Sequence, residues 1–225
     1  MYQIAIDGPS GAGKSTLAKI LSKKLGFIYV DTGALYRSIG LYVAKKGVAP
    51  DDKAGVIALL PEIDLALTYR EGVQVVLLNG EDVGESIRTP QMSMYASAVS
   101  AIPEVRTFLL DTQRNIAKTN NVIMDGRDIG TVILPEAQVK IFLVSSFEAR
   151  AERRVKELAE KGIATTYEEV LADMIERDRN DSTRAVAPAV PAKDAVHLDN
   201  SHLTLEGTVE AALAIIREKC EAICG

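Results

Sequence analysis

The chain has 225 residues, a formal net charge of -5 at neutral pH, 47% hydrophobic and 25% charged residues, a composition that excludes wholesale disorder and fibrous repeats and allows a substantial core. Its acidic balance argues against diffuse adhesion to nucleic acid or anionic membrane. The stretch from Met1 to Asp7 lacks the basic and long apolar regions of a secretory signal, and no run reaches membrane-spanning length, so a cytoplasmic protein is expected.

Tyr2 to Asp7 reads as a buried strand, Gly8 to Gly13 interrupts it, and Lys14 to Leu25 reads as a helix ended by Gly26. Phe27 to Val30 is the next expected strand, with Asp31, Thr32 and Gly33 turning into a helix that carries Tyr36 and Arg37. Strand, helix and strand in this order open a parallel sheet with helices on its faces. Asp64 to Tyr69, Val73 to Leu78 and Asp82 with Val83 read as three antiparallel strands, joined at Glu71-Gly72 and Asn79-Gly80. They form a nested insertion from about residue 62 to about residue 98.

Val122 to Asp125, Val139 to Val144 and Ala195 to Asp199 complete a sheet of about five parallel strands. Ser145 and Glu148 are spaced as a capping box before a basic helix with Arg150, Arg153 and Arg154. Thr166 and Glu169 form another, opening a helix through Val170, Met174 and Arg177. Arg179 to Arg184 is polar and poor in helix signals, and a loop with Pro188 and Pro191 follows. The last helix carries Val209, Leu213, Ile216, Cys220 and Ile223 on one packing stripe. Cys220 and Cys224 are expected as free thiols, because a bridge between them closes almost no loop.

Gly8, Pro9, Ser10, Gly11, Ala12, Gly13, Lys14 and Ser15 fit G-x-x-x-x-G-K-[ST] between an expected strand and an expected helix. Such a loop wraps phosphate with inward N–H groups at the positive end of a helix. Lys14 brings a mobile cation to the β and γ phosphates, and the Ser15 hydroxyl is placed to ligate Mg²⁺. Asp125 ends the strand that usually faces metal-bound phosphates in such folds. No guanine-reading N-K-x-D motif is present, and a motor or helicase would show a double acidic strand end where this chain has one Asp. A small-molecule phosphotransferase remains. Arg37, Arg106, Arg127, Arg177 and Arg184 sit near expected element ends or in loops, and guanidinium suits bidentate phosphate binding. An anionic phosphate acceptor needs charge neutralisation rather than a strong base, which favours a nucleoside monophosphate over an alcohol.

The segments Ile6 to Thr16, Asp31 to Arg37, Ile87-Arg88, Pro103 to Arg106, Asp125 to Thr131 and Arg177 to Ala192 together resemble the bacterial cytidylate kinases over essentially the whole chain. The resemblance implies a single α/β domain over 1–225: a P-loop core with a five-stranded parallel sheet, the insertion as the monophosphate-binding part, and a helical lid over 148–185. It implies ATP and CMP or dCMP as reactants with Mg²⁺, the loop through Thr16 as the ATP site, and Lys14, Asp125, Arg127 and Arg184 as catalytic residues. Arg37, Arg127 and Arg184 then hold the acceptor phosphate, with Tyr36 among the substrate contacts. Ser97, Arg106 and Asp128 read or anchor cytosine, Arg177 and Asp181 meet the ribose, and Thr32 makes a polar nucleotide contact. Arg150, Arg153 and Arg154 open the lid, and Arg154 is the candidate for ATP. A monomer independent of nucleic acid and membrane is expected. The plainer readings are surface ion pairs among Arg177, Asp181 and Arg184, close packing around Ser97, another acceptor such as UMP or a small alcohol, and a regulatory ATP-binding protein.

Overall fold

The computed structural model describes residues 1–223. Its centre is β1 (Gln3–Asp7), whose Ile4, Ala5 and Ile6 are wholly buried because helices cover both faces of the sheet. The chain continues through α1 (Lys14–Leu25), β2 (Ile28–Asp31), α2 (Thr32–Lys45), α3 (Lys53–Leu59), β3 (Leu65–Arg70), β4 (Val73–Leu78) and β5 (Glu81–Asp82). Then come α4 (Pro90–Val99), α5 (Pro103–Thr119), β6 (Val122–Gly126), β7 (Val139–Val144), α6 (Phe147–Glu160), α7 (Tyr167–Thr183), β8 (Val196–Asp199) and α8 (Leu205–Lys219).

The main sheet has five parallel strands in the order β2-β6-β1-β7-β8. One apolar layer joins α1 and α8 to the sheet through Leu17, Leu21, Val209 and Ile216; the layer on the other side gathers Val30, Met124, Ile129 and Leu134. A separate antiparallel sheet has the order β3-β4-β5. Both of its turns are tight: Glu71 and Gly72 have φ of 52° and 78°, Asn79 and Gly80 of 50° and 82°. Positive φ at both central residues is the turn geometry whose twist matches paired strands, as the Asn-Gly signal predicts.

Several expectations change. The helix after β2 begins directly at Thr32, because the Asp31 carboxylate accepts the Ala34 N–H and caps it. The basic helix is capped by Ser146, whose hydroxyl accepts from Ala149, and not by Ser145. Thr166 and Glu169 do form the expected capping box. The polar stretch 179–184 is helical through Thr183: the helix nucleated at Thr166 continues, and Ser182 and Thr183 turn their hydroxyls back to the Arg179 carbonyl. Arg177 therefore lies within a helix and not at an element end. The last helix stops at Lys219, and Cys220 is a free thiol at its end; Cys224 lies outside the described residues. Among the described residues no helix is long and apolar enough to cross a membrane.

Candidate active site

Two polar regions face each other at the C-terminal ends of β1, β2 and β6. The first is the loop from Gly8 to Gly13. Gly8 has φ 148°, and a Cβ there would stand 2.2 Å from the Leu143 carbonyl oxygen of β7, so only glycine lets the loop leave β1 this close to its neighbour. α1 starts at Lys14, which is buried and donates to the Pro9 carbonyl at 2.7 Å across the loop. Burial, with the Arg127 charge next, pulls the Lys14 ammonium down to about 7. Ser15 donates to Asp125 at 2.8 Å, and Tyr29 donates to the other oxygen of that carboxylate at 2.8 Å. Burial and then Asp31 raise the Asp125 carboxyl above its usual range. Thr32 donates to the Asp125 carbonyl at 2.7 Å, tying α2 to the end of β6, and Thr16 is exposed in the first turn of α1.

Helices α6 and α7 rest on this loop. The Asp178 carboxylate accepts the Ser10 N–H at 3.1 Å and Arg150 Nη1 at 2.6 Å, while Arg150 also donates to the Ser10 carbonyl at 2.8 Å. Met174 lies over Gly11, and Asn200 at the end of β8 donates to the Ala12 carbonyl at 2.9 Å. Arg153 donates to the Asn200 carbonyl at 2.9 Å. Arg154, the residue expected to meet ATP, lies on the outer helix face and pairs with Glu157 at 2.8 Å. Helical spacing alone could not tell these three arginines apart, and the two nearest the sheet are engaged with backbone carbonyls.

The second region collects arginines from distant segments. Arg37 on α2 pairs with Asp31 at 2.9 Å. Arg127, just after β6, pairs at 2.9 Å with Asp181 of α7, which is only 6% exposed. Asp181 and its arginines are thus not the surface ion pairs that helical spacing alone allows. Burial works to raise the Asp181 carboxyl, but Arg127 and Arg177 outweigh it and hold it below its usual range. Ser97 on α4 sits 3.4 Å from the same carboxylate. Arg106 on α5 forms a buried ion pair with Asp128, stacks over the Tyr36 ring at 5.4 Å, and donates to the Ser100 carbonyl at 3.1 Å. Arg184, the C-cap of α7, donates to the Ser100 hydroxyl at 3.0 Å and lies 3.9 Å from Asp128.

This second region carries more positive charge than its own carboxylates neutralise. Burial, reinforced by Arg127, lowers Arg177 to about 10, and the Nε atoms of both Arg177 and Arg37 are buried without a hydrogen-bond partner. Unpaired guanidinium N–H groups away from water are costly unless an anion completes them. The residues expected from sequence therefore converge, except Arg154. Sequence reasoning missed Tyr29, Asp31, Ser100, Asp178 and Asp7. Asp7 accepts the Ile129 and Gly130 N–H groups, each at 2.8 Å, and so fixes the turn that follows Asp128. Burial pushes the Asp7 carboxyl up to about 6. Asp31 lay inside a recognised segment without a role, whereas the contacts of Tyr29 and Asp178 depend on strand order and helix packing.

Comparisons with known proteins converge on one family. A family model described as Cytidylate kinase matches residues 4–218. A relative from Thermosipho melanesiensis named Cytidylate kinase is 48% identical over 219 residues, covering 97% of this chain and 98% of its own length. A relative of the same name from Caldicellulosiruptor saccharolyticus is 49% identical over 212 residues, covering 94% of each chain. A third, from Ligilactobacillus salivarius, is 48% identical over 217 residues, covering 96% of this chain and 97% of its own.

Proposed function

The chain belongs to the cytidylate kinase family, and from that premise we propose that it transfers the γ-phosphoryl group of ATP to CMP or dCMP, releasing ADP and the diphosphate. The observation that carries the choice of acceptor is the buried Arg106–Asp128 pair beside the arginine cluster. Cytosine presents an amino donor at C4 and acceptors at N3 and O2, so a carboxylate and a guanidinium meet it with opposite polarity. Uracil reverses that polarity at positions 3 and 4 and would set its O4 against Asp128. A site built for one pattern rejects the other by roughly 10²-fold or more, because buried polar groups are left unpaired.

In this reading the loop amides and Lys14 hold the ATP phosphates. Ser15 and Asp125 form an all-oxygen set that fits Mg²⁺, a hard cation. Bound with ATP, that ion would supply charge neutralisation to the phosphates. Arg37, Arg127 and Arg184 hold the acceptor phosphate in line with the γ-phosphoryl group, and Arg177 with Asp181 meets the ribose. The acceptor oxygen is already anionic, so no side chain has to remove a proton; Lys14 and the arginines spread the charge as the two anions meet. We assign residues 62–98 to acceptor binding and 148–185 to a lid that excludes water from the transfer. A cytoplasmic monomer using small soluble reactants completes the proposal.

The test is ADP release with ATP and Mg²⁺ across CMP, dCMP, UMP, AMP and small alcohols. Turnover with CMP or dCMP roughly 10²-fold above UMP is expected. Equal use of UMP points to a broader kinase, use of alcohols to another phosphotransferase, and binding of ATP without transfer to a regulatory protein.

A further inference from the structure

β2 is an edge strand of the parallel sheet, paired on one side with β6. Backbone groups of alternate residues in a strand point to opposite edges. The Ile28 N–H bonds towards β6 through the Asn121 carbonyl at 2.9 Å, so Tyr29 and Asp31 present theirs to the outer edge. Among the described residues no strand covers that edge; two side chains of the small sheet do. Tyr69 on β3 and Gln74 on β4 are direct cross-strand partners beside the Glu71-Gly72 turn. The Tyr69 hydroxyl donates to the Tyr29 carbonyl at 3.3 Å. The Gln74 amide oxygen accepts the Asp31 N–H at 2.9 Å, and its nitrogen donates to the Asp31 carbonyl at 3.4 Å.

Asp31 is also the pivot of the acceptor side. Its carboxylate caps α2 through Ala34 and holds Arg37 Nη2, each at 2.9 Å, which leaves the buried Arg37 Nε free for an acceptor oxygen. Clamping the N–H and C=O of one residue fixes the direction of its side chain. A continuous hydrogen-bond chain thus runs from Gln74 through Asp31 to Arg37.

We infer that Gln74, with Tyr69 opposite it, is a positioning residue for the acceptor phosphate, through which the small sheet sets the orientation of Arg37. The inference rests on the reading of Arg37 as a phosphate ligand. It is tested by Gln74→Met, which keeps the side-chain volume and removes both bonds. The KM for CMP rises roughly three- to tenfold while the KM for ATP stays within about twofold. Gln74→Glu, which keeps an acceptor for the Asp31 N–H, recovers part of the loss, and Tyr69→Phe gives a smaller rise in the same parameter. In an Arg37→Ala background Gln74→Met adds nothing further to the KM for CMP. The same multiplicative loss in both backgrounds, or a parallel rise in the KM for ATP, overturns the positioning role. If Arg37→Ala alone leaves CMP use intact, the phosphate assignment of Arg37 fails and the positioning role with it. If Arg37→Ala impairs CMP use and Gln74→Met does not, only the positioning role fails.

Discussion

The donor loop and the acceptor pocket are built on opposite plans. Between Gly8 and Ser15 the groups proposed to hold phosphate are backbone amides from one short segment, backed by one lysine and a helix start. The acceptor pocket instead draws Arg37 from α2, Arg106 from α5, Arg127 from the end of β6, and Arg177 and Arg184 from α7. Its charges are held against Asp31, Asp128 and Asp181. A backbone cradle keeps its donors whichever side chains surround it. A pocket of buried guanidinium groups survives without ligand only because carboxylates share the charge, since an uncompensated buried charge costs about 3–5 kcal/mol. The first plan suits a phosphate chain common to many reactants, and the second suits the discrimination among acceptors proposed for it.

Removing the one side-chain charge of the donor loop is the most severe way to break this contrast. Lys14→Ala lowers kcat by roughly 10³-fold in the ADP-release assay, the scale of losing a donor aimed at developing charge. Its thermal midpoint does not fall, because the lysine is buried beside the like charge of Arg127 and is held down to about 7. A large drop in midpoint would make Lys14 a structural residue.

A smaller effect comes from the titration of the same lysine. Bound polyphosphate favours the ammonium form, so ATP binding takes up a proton once the pH passes about 7, where free Lys14 loses its own. ATP affinity then declines by up to about tenfold per pH unit above that point until the pKa of the bound form is reached. Calorimetry in buffers of different ionisation enthalpy should show proton uptake growing between about pH 6 and about pH 8, and none in Lys14→Ala. Folding stability moves in the other direction. From about 7 to 10.5 the unfolded lysine holds a proton that the folded one has lost, so this residue's share of stability rises with pH across that window.

The same contrast explains what the sequence made readable. The loop between β1 and α1 was legible because its motif lies in consecutive residues whose spacing is set by backbone geometry. The five parallel strands and both tight turns of the small sheet were legible from apolar runs and turn residues. The five arginines stood out near expected element ends, but the roles expected of them came from family resemblance, since nothing local in Arg106 or Asp181 announces a partner on another element. The helix through Thr183 was not legible because Asp, Ser and Thr weaken local helix signals, whereas packing of α7 against α6 through Val170 and Met174 overrides them. Arg150 looked equivalent to Arg154 because periodicity gives spacing without saying which face meets the sheet. Tyr29 reads as one more strand residue until the strand order brings it to Asp125.

On the proposed reading the acceptor pocket is the region that makes this kinase selective, and Arg106→Met tests that most directly. The substitution keeps much of the side-chain volume and removes the guanidinium facing Asp128. The ratio of kcat/KM for CMP to that for UMP should collapse by roughly 10²-fold, while the KM for ATP stays within about twofold. A ratio that stays unchanged, or a KM for ATP that rises in step with that for CMP, contradicts the separation of a general donor loop from a discriminating acceptor pocket.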